Sequence, residues 1–161
     1  KLRFGSVAGT VLRESPVPVL TVNSSIEMPK KVEIEKIVCA IEPDSDAVTT
    51  LAYAVDLTEK LGARLTVVGI KADSKADEIT DWISSVCESI DESSRKKCDL
   101  EQIVRTGDII GQVLAEADDA NADLLVIGKR HEFFADGSLG ARTSEIINRS
   151  HCPVITIPPA K

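Results

Sequence analysis

Short apolar runs alternate with amphipathic segments along most of this sequence. Five runs rich in branched aliphatic residues have the length of strands, at residues 34–42, 64–70, 100–104, 124–127 and 153–157. The segments between them carry apolar residues every three or four positions, which is the spacing of one helix face. Strands that alternate with helices in this way are typical of a parallel sheet with right-handed crossovers and helices on both faces. We therefore predict an α/β fold built on an open five-stranded parallel sheet.

An internal repeat adds a second constraint. Residues 140–157 align without a gap on residues 5–22, with five identical positions and four exchanges between aliphatic residues. The identical positions are Gly5/Gly140, Ser15/Ser150, Pro18/Pro153, Val19/Val154 and Thr21/Thr156. The repeat predicts that residues 1–24 are the last helix and strand of a preceding domain. In this chain they would add an N-terminal helix and an edge strand to the five-stranded sheet. A linker at residues 25–33 and one complete domain at residues 34–161 would follow.

Composition limits the classes of partner. The chain has 161 residues and is 43% hydrophobic, which suffices for one well-buried core. Its formal net charge of −7 disfavours binding to nucleic acid, and its longest apolar stretches are too short for membrane insertion. Four cysteines stand far apart without Cys-x-x-Cys spacing, so we predict no metal site and expect a reducing, cytoplasmic setting.

Candidate binding residues lie where the predicted strands end. In parallel sheets of this class a ligand binds outside the carboxyl ends of the strands, where the strand order reverses. Residues 41–43, 69–71 and 127–143 occupy such positions. Gly128 closes one strand, and Gly140 opens a helix whose free N–H groups suit a phosphate. Structural glycines at a strand end and a helix start would give the same spacing without a ligand.

Several motifs together, in their order and spacing, resemble the universal stress protein family. They are Val-Arg-Thr-Gly-Asp at 104–108, Ala-Asp-Leu-Leu-Val-Ile-Gly at 122–128, the helix from Gly140, Cys-Pro-Val-Ile-Thr-Ile at 152–157, and the opening strand and helix at 37–61. The resemblance covers residues 34–158, and residues 5–22 resemble the closing helix and strand of the same family. It implies a Rossmann-like fold akin to the adenine nucleotide alpha hydrolases and tandem copies in the parent protein.

The family includes members that bind ATP and members that do not. The ATP-binding members carry a Gly-x-x-Gly segment, a later Gly-Ser or Gly-Thr pair, and an Asp at the end of the first strand. This sequence departs from that pattern at His131, Ala141 and Glu42. The resemblance therefore implies a degenerate site for ATP or AMP, with three cations nearby. Its candidate residues are Ile41, Glu42, Ile70, Gly128, Lys129, Arg130, His131, Gly140, Ala141, Arg142 and Thr143.

The resemblance also suggests how such a domain works. We expect a non-enzymatic stress-response or regulatory role through dimerisation, because domains of this family pair through their last strands. Segment 17–22 would pair antiparallel with segment 153–157, in a homodimer or in a pseudo-dimer within one chain. Phe133 and Phe134 would contact a protein partner, or one of them would pack inward. Two alternatives stay open: a cytosolic regulatory domain of a membrane transporter, and a slow ATPase or adenylyl-transferring enzyme.

Overall fold

The computed structural model describes residues 5–27, 29–44, 46–72, 76–129 and 140–160. In chain order the helices and strands are α1 (Ser6–Glu14), β1 (Val19–Thr21), β2 (Lys36–Ile41), α2 (Ala47–Leu61), β3 (Arg64–Lys71), α3 (Ala76–Glu88), α4 (Glu92–Lys97), β4 (Glu101–Thr106), α5 (Ile109–Asp119), β5 (Leu124–Gly128), α6 (Ala141–Arg149) and β6 (Val154–Ile157). Helices and strands alternate along these ranges as the sequence predicts, except that an additional short helix, α4, directly follows α3. None of the described helices is long and apolar enough to cross a membrane.

The strands form one mostly parallel sheet in the order β1-β6-β5-β2-β3-β4. Strands β2 to β6 are parallel, whereas β1 lies antiparallel to β6 at one edge. The described sheet therefore has six strands, and the predicted number of five applies to the parallel ones. The chain runs outward from β2 through β3 to β4 and then returns to β5 on the other side of β2. The strand order thus reverses between β2 and β5.

Packing covers both faces of this sheet. Along β2, Ile37, Cys39 and Ile41 point into one apolar cluster with α2 and α3, because alternate residues of a strand face opposite sides. Val38 and Ala40 point into the other cluster, which α5 and α6 cover. Leu12 of α1 is 3% exposed and belongs to that second cluster. The N-terminal helix is thereby part of the core.

Strand β1 is shorter than the predicted segment 17–22. It pairs with β6 through Val19↔Thr156, Leu20↔Ile155 and Thr21↔Val154, within the same chain. Ahead of it, the Ser15 hydroxyl donates to the Val17 carbonyl at 2.8 Å and accepts the Val17 N–H at 3.3 Å. This turn holds Val17 out of the ladder, and the next residue, Pro18, has no N–H to donate. The pairing is therefore limited to three residues.

A side chain after β1 fastens this segment to the end of α6. The Asn23 amide donates from Nδ2 to the Ile147 carbonyl at 3.0 Å and to the Ser150 carbonyl at 2.8 Å. Both carbonyls lie at the end of α6, where the last turn of a helix leaves its C=O groups without partners in the helix. Asn23 therefore caps α6 from a distant part of the chain.

Candidate functional site

A cleft lies at the carboxyl ends of β2, β3 and β5, beside the point where the strand order reverses. It encloses about 760 Å³ of empty space, its open mouth included. The first turns of α2 and α6 form parts of its rim, and apolar residues form its floor. This is the place where doubly wound parallel sheets bind their ligands.

Eight of the eleven predicted site residues line this cleft. They are Ile41, Glu42, Ile70, Gly128, Lys129, Gly140, Arg142 and Thr143. Ala141 lies on the first turn of α6, but it is exposed and does not line the cleft. Arg130 and His131 lie outside the described residues, as do Phe133 and Phe134.

The sequence reasoning missed residues that α2 and α5 bring to the cleft. Asp44, Asp46 and Thr50 come from the loop after β2 and the first turn of α2, and Ile109 and Val113 come from α5. The Asp46 N–H donates to Asp44 Oδ1 at 2.9 Å, and the Thr50 N–H donates to the Asp46 carbonyl at 2.9 Å. A signal for the two aspartates was present, because they follow the carboxyl end of β2. The α5 residues carried no motif.

Gly128 is explained by helix packing. A Cβ at this position would lie 2.9 Å from Oγ1 of Thr50, which is 2% exposed. Side chains do not approach one another this closely, so α2 can pack at its observed distance only against a glycine. By contrast, Gly140 has φ −48° and ψ 133°, which any residue can adopt. The conformation of Gly140 therefore does not require glycine.

The first turn of α6 opens on the cleft. Gly140 is the N-cap and has no side chain to cap the helix, and Thr143 in the first turn is buried against the cleft. The N–H groups of a first turn have no partner within the helix, and the positive end of the helix dipole favours an anion there. This turn is the part of the cleft best suited to a phosphate.

The two cations in the described lining of the cleft, Lys129 and Arg142, are directed at groups of the protein. The Lys129 ammonium donates to the Arg13 carbonyl in the last turn of α1. Burial lowers the pKa of Lys129, and the nearby Arg13 lowers it further. Nη1 of Arg142 lies 3.6 Å from Oε2 of Glu42, and this nitrogen is buried without a hydrogen-bond partner. Neither cation is simply solvated.

Carboxylates outnumber cations in the described wall of the cleft. Glu42, Asp44 and Asp46 face Lys129 and Arg142. Among the described residues, no group of three or more His, Cys, Asp or Glu side chains is placed to hold a metal ion. The wall therefore combines an apolar floor, an acidic side and a helix N-terminus.

Comparison with known proteins gives the same picture of the fold. The model of the universal stress protein family matches residues 33–158. The chain belongs to the universal stress protein family. No curated protein matches the sequence significantly.

Solved structures of universal stress proteins are similar to this chain. One from Archaeoglobus fulgidus DSM 4304 has a TM-score of 0.70 at 21% identity, over 94% of this chain and 53% of its own. A putative universal stress protein from Pseudomonas aeruginosa UCBPP-PA14 has a TM-score of 0.66 at 18% identity, over 93% and 55%. A universal stress protein in complex with cAMP has a TM-score of 0.61 at 16% identity, over 78% and 97%. The chain thus spans about half the length of the first two relatives, and identities this low show the fold alone.

Proposed function

We propose that the chain is a regulatory universal stress protein domain that binds the nucleoside part of an adenine nucleotide in its cleft without turning it over. The cleft at the reversal of the strand order carries this proposal. A universal stress protein of similar fold is known in complex with cAMP, which supports an adenine nucleotide as the ligand class.

The two sides of the cleft fit the two parts of a nucleoside. Ile41, Ile70 and Ile127 supply an apolar floor for a base. The carboxylates of Asp44 and Asp46 stand on the rim, where they can accept hydrogen bonds from ribose hydroxyls. The hydroxyl that ATP-binding members place at the start of the last helix is absent here, because that position is Ala141. The proposed site is therefore stronger for the nucleoside than for a phosphate chain.

Methyl NMR on the whole chain tests both the ligand and its location. Adenosine, AMP, ADP and ATP are titrated into protein with labelled isoleucine methyl groups. We expect the signals of Ile41, Ile70 and Ile127 to shift on binding, and those of Ile37 and Ile83 to stay, because the latter two lie in the core away from the cleft. Absence of any shift up to millimolar ligand would refute the proposed function, and shifts confined to other residues would refute its location.

The same samples distinguish a binding domain from an enzyme. We expect ATP to remain intact during long incubation, with no phosphate or AMP appearing. Steady release of phosphate that follows the folded protein through purification would instead favour the slow ATPase. We place the domain in the cytoplasm, because its four cysteines are buried and form no disulfide, which fits a reducing compartment.

We also propose that the domain works as one half of a pair of universal stress protein domains. The β1–β6 register supports this, because Leu20 lies opposite Ile155, its own counterpart in the internal repeat. Val19 lies opposite Thr156 and Thr21 lies opposite Val154, so exchanging the two copies reproduces the same pairs. This is the isologous pattern of a two-fold interface.

The exposed apolar face of α1 and β1 supports the proposal that a preceding domain is the second member of this pair. In the complete domain Ile146, Ile155 and Ile157 are 5%, 8% and 4% exposed. Their counterparts in the repeat are far more exposed: Val11 is 49%, Leu20 58% and Val22 41% exposed. The relative from Archaeoglobus fulgidus covers 94% of this chain with about half of its own length, so the match extends beyond the complete domain. We infer that a second copy of the fold covers this face.

A chimaera tests the pairing. In the repeat, residue 139 corresponds to residue 4. A chimaera in which residues 34–139 are joined directly ahead of residues 5–161 would therefore give α1 and β1 the rest of a domain of their own. We expect the original chain to bind a hydrophobic dye at the exposed valines and leucine, and the folded chimaera to bind less. Equal or greater dye binding per molecule by a chimaera with a cooperative unfolding transition would contradict the pairing.

A further inference from the structure

The charges of the cleft suggest how it selects its ligand. Its described wall carries the carboxylates of Glu42, Asp44 and Asp46 against the two cations Lys129 and Arg142. From the described residues alone, a phosphate chain entering this cleft would meet three carboxylates and two cations. Charge repulsion of this kind is weakly screened inside a cleft, where the effective dielectric constant is below that of water.

Of the three carboxylates, Glu42 would have the greatest effect on phosphate binding, because it lies beside Arg142. Arg142 is in the first turn of α6, where a phosphate would be expected, and its Nη1 is buried without a hydrogen-bond partner. Among the described residues, its anionic partner is Glu42 Oε2 at 3.6 Å, a distance that gives attraction without a hydrogen bond. Arg142 therefore keeps an unused donor in the cleft, while Glu42 neutralises its charge.

The length of the Glu42 side chain matters for this contact. The family resemblance gives the ATP-binding members an Asp at this place, and Glu42 has one methylene more. The extra methylene extends the carboxylate from the end of β2 towards α6. The side chain of Glu42 is 20% exposed and that of Arg142 is 42% exposed, so the pair is partly shielded from water.

We propose that Glu42 is an internal anion that holds Arg142 and makes the cleft select nucleosides against their phosphates. This specificity rests on the proposed nucleoside site, because it concerns the same cleft. The carboxylate provides the negative charge that a ligand phosphate would otherwise bring to Arg142. Removing that charge frees the guanidinium for a phosphate oxygen, since Arg binds phosphate through the same donors that it offers to a carboxylate.

Calorimetry with adenosine and AMP measures this selection as a ratio of affinities. We expect the wild-type chain to bind adenosine at least as tightly as AMP. In Glu42→Gln the affinity for AMP relative to adenosine should rise about fivefold or more, which corresponds to removing one charge about 4 Å from a phosphate in a water-like medium. Glu42→Asp, which keeps the charge but shortens the side chain, should give a smaller rise.

Two further variants control for net charge and for the acting cation. Glu145→Gln removes the same charge from the middle of α6, at a residue that does not line the cleft and that pairs with Arg149, and should leave the ratio unchanged. Adding Arg142→Gln to Glu42→Gln should abolish the gain in AMP affinity. Circular dichroism confirms that each variant is folded.

The outcomes separate this inference from the function on which it rests. Adenosine binding by the wild type with an unchanged ratio in Glu42→Gln would overturn the role of Glu42 and leave the proposed function intact. Equal gains in Glu42→Gln and Glu145→Gln would also overturn it, because net charge would then be the cause. If no folded variant binds either compound, both proposals fail.

Discussion

Replacing Gly128 by alanine tests whether this glycine is kept for packing. The added Cβ would lie 2.9 Å from Thr50 Oγ1, whereas ordinary contacts begin at 3.4 Å. Thr50 is 2% exposed in the first turn of α2, and its β-branched side chain has few χ1 rotamers to change to. Relieving such an overlap by shifting α2 or β5 costs about 1–3 kcal/mol of the free energy of unfolding.

A double-mutant cycle assigns that cost to one contact. Thr50→Ala removes the Oγ1 atom and should cost about 1 kcal/mol by itself, through lost burial. With the clash gone, Gly128→Ala should cost little more in the Thr50→Ala background. The cycle should therefore show a coupling of about 1–2 kcal/mol, well above the additivity error for distant sites.

Urea unfolding provides the measurement. With a slope of about 2 kcal/mol/M, Gly128→Ala should lower the midpoint by about 0.5–1.5 M without changing the slope. Gly5→Ala is the matched control, because nothing lies within 4 Å of a Cβ built there. If Gly128→Ala costs no more than Gly5→Ala, or if Thr50→Ala fails to rescue it, the packing explanation is wrong.

Three other predictions concern stability. Arg105→Ala should cost about 3–5 kcal/mol in urea unfolding, because it leaves the carboxylate of Glu116, 4% exposed, without its 2.6 Å partner; Asp119→Asn, at the exposed end of the same fork, should cost under about 1 kcal/mol. Asn23→Ala should cost about 1–2 kcal/mol and speed amide exchange in β1, since two hydrogen bonds to α6 are lost; unchanged exchange would contradict its anchoring role. Hydrogen bonds from a neighbouring serine lower the pKa of Asp91 below its usual 3.8, so its stabilisation is present above that pH and is lost as the pH falls through the lowered value. Asp91→Asn should remove this part of the acid dependence, and an identical acid profile would argue against it.

The sheet was predictable because its strands are buried on both faces and so form apolar runs. The location of the cleft followed, because the carboxyl ends of parallel strands meet at one edge. Eight residues chosen from those ends line the cleft for this reason. Contacts between distant segments had no such signal. Thr50 reaches the cleft only because α2 packs closely on Gly128, and Lys129 meets a carbonyl more than a hundred residues away in sequence.

Local polar chemistry accounts for the other differences. Helix α4 has no buried residues, so it leaves no apolar stripe, and its start depends on the Asp91 carboxylate accepting the Ser93 N–H at 3.0 Å. Strand β1 was expected to be longer because the internal repeat extends over the whole of segment 17–22. The Ser15 hydroxyl competes for the Val17 backbone and ends the ladder there.

The bond between Lys129 and Arg13 connects the cleft directly to helix α1. Lys129 lines the cleft, yet its ammonium donates to the carbonyl at the end of α1. A ligand that drew this ammonium inward would take it away from α1, so binding of such a ligand and docking of α1 would oppose each other. Thermodynamic reciprocity makes the two effects equal: whatever fixes α1 more firmly weakens such a ligand by the same factor by which the ligand loosens α1. The firmness of α1 and the affinity for such a ligand would then vary in opposite directions in one molecule.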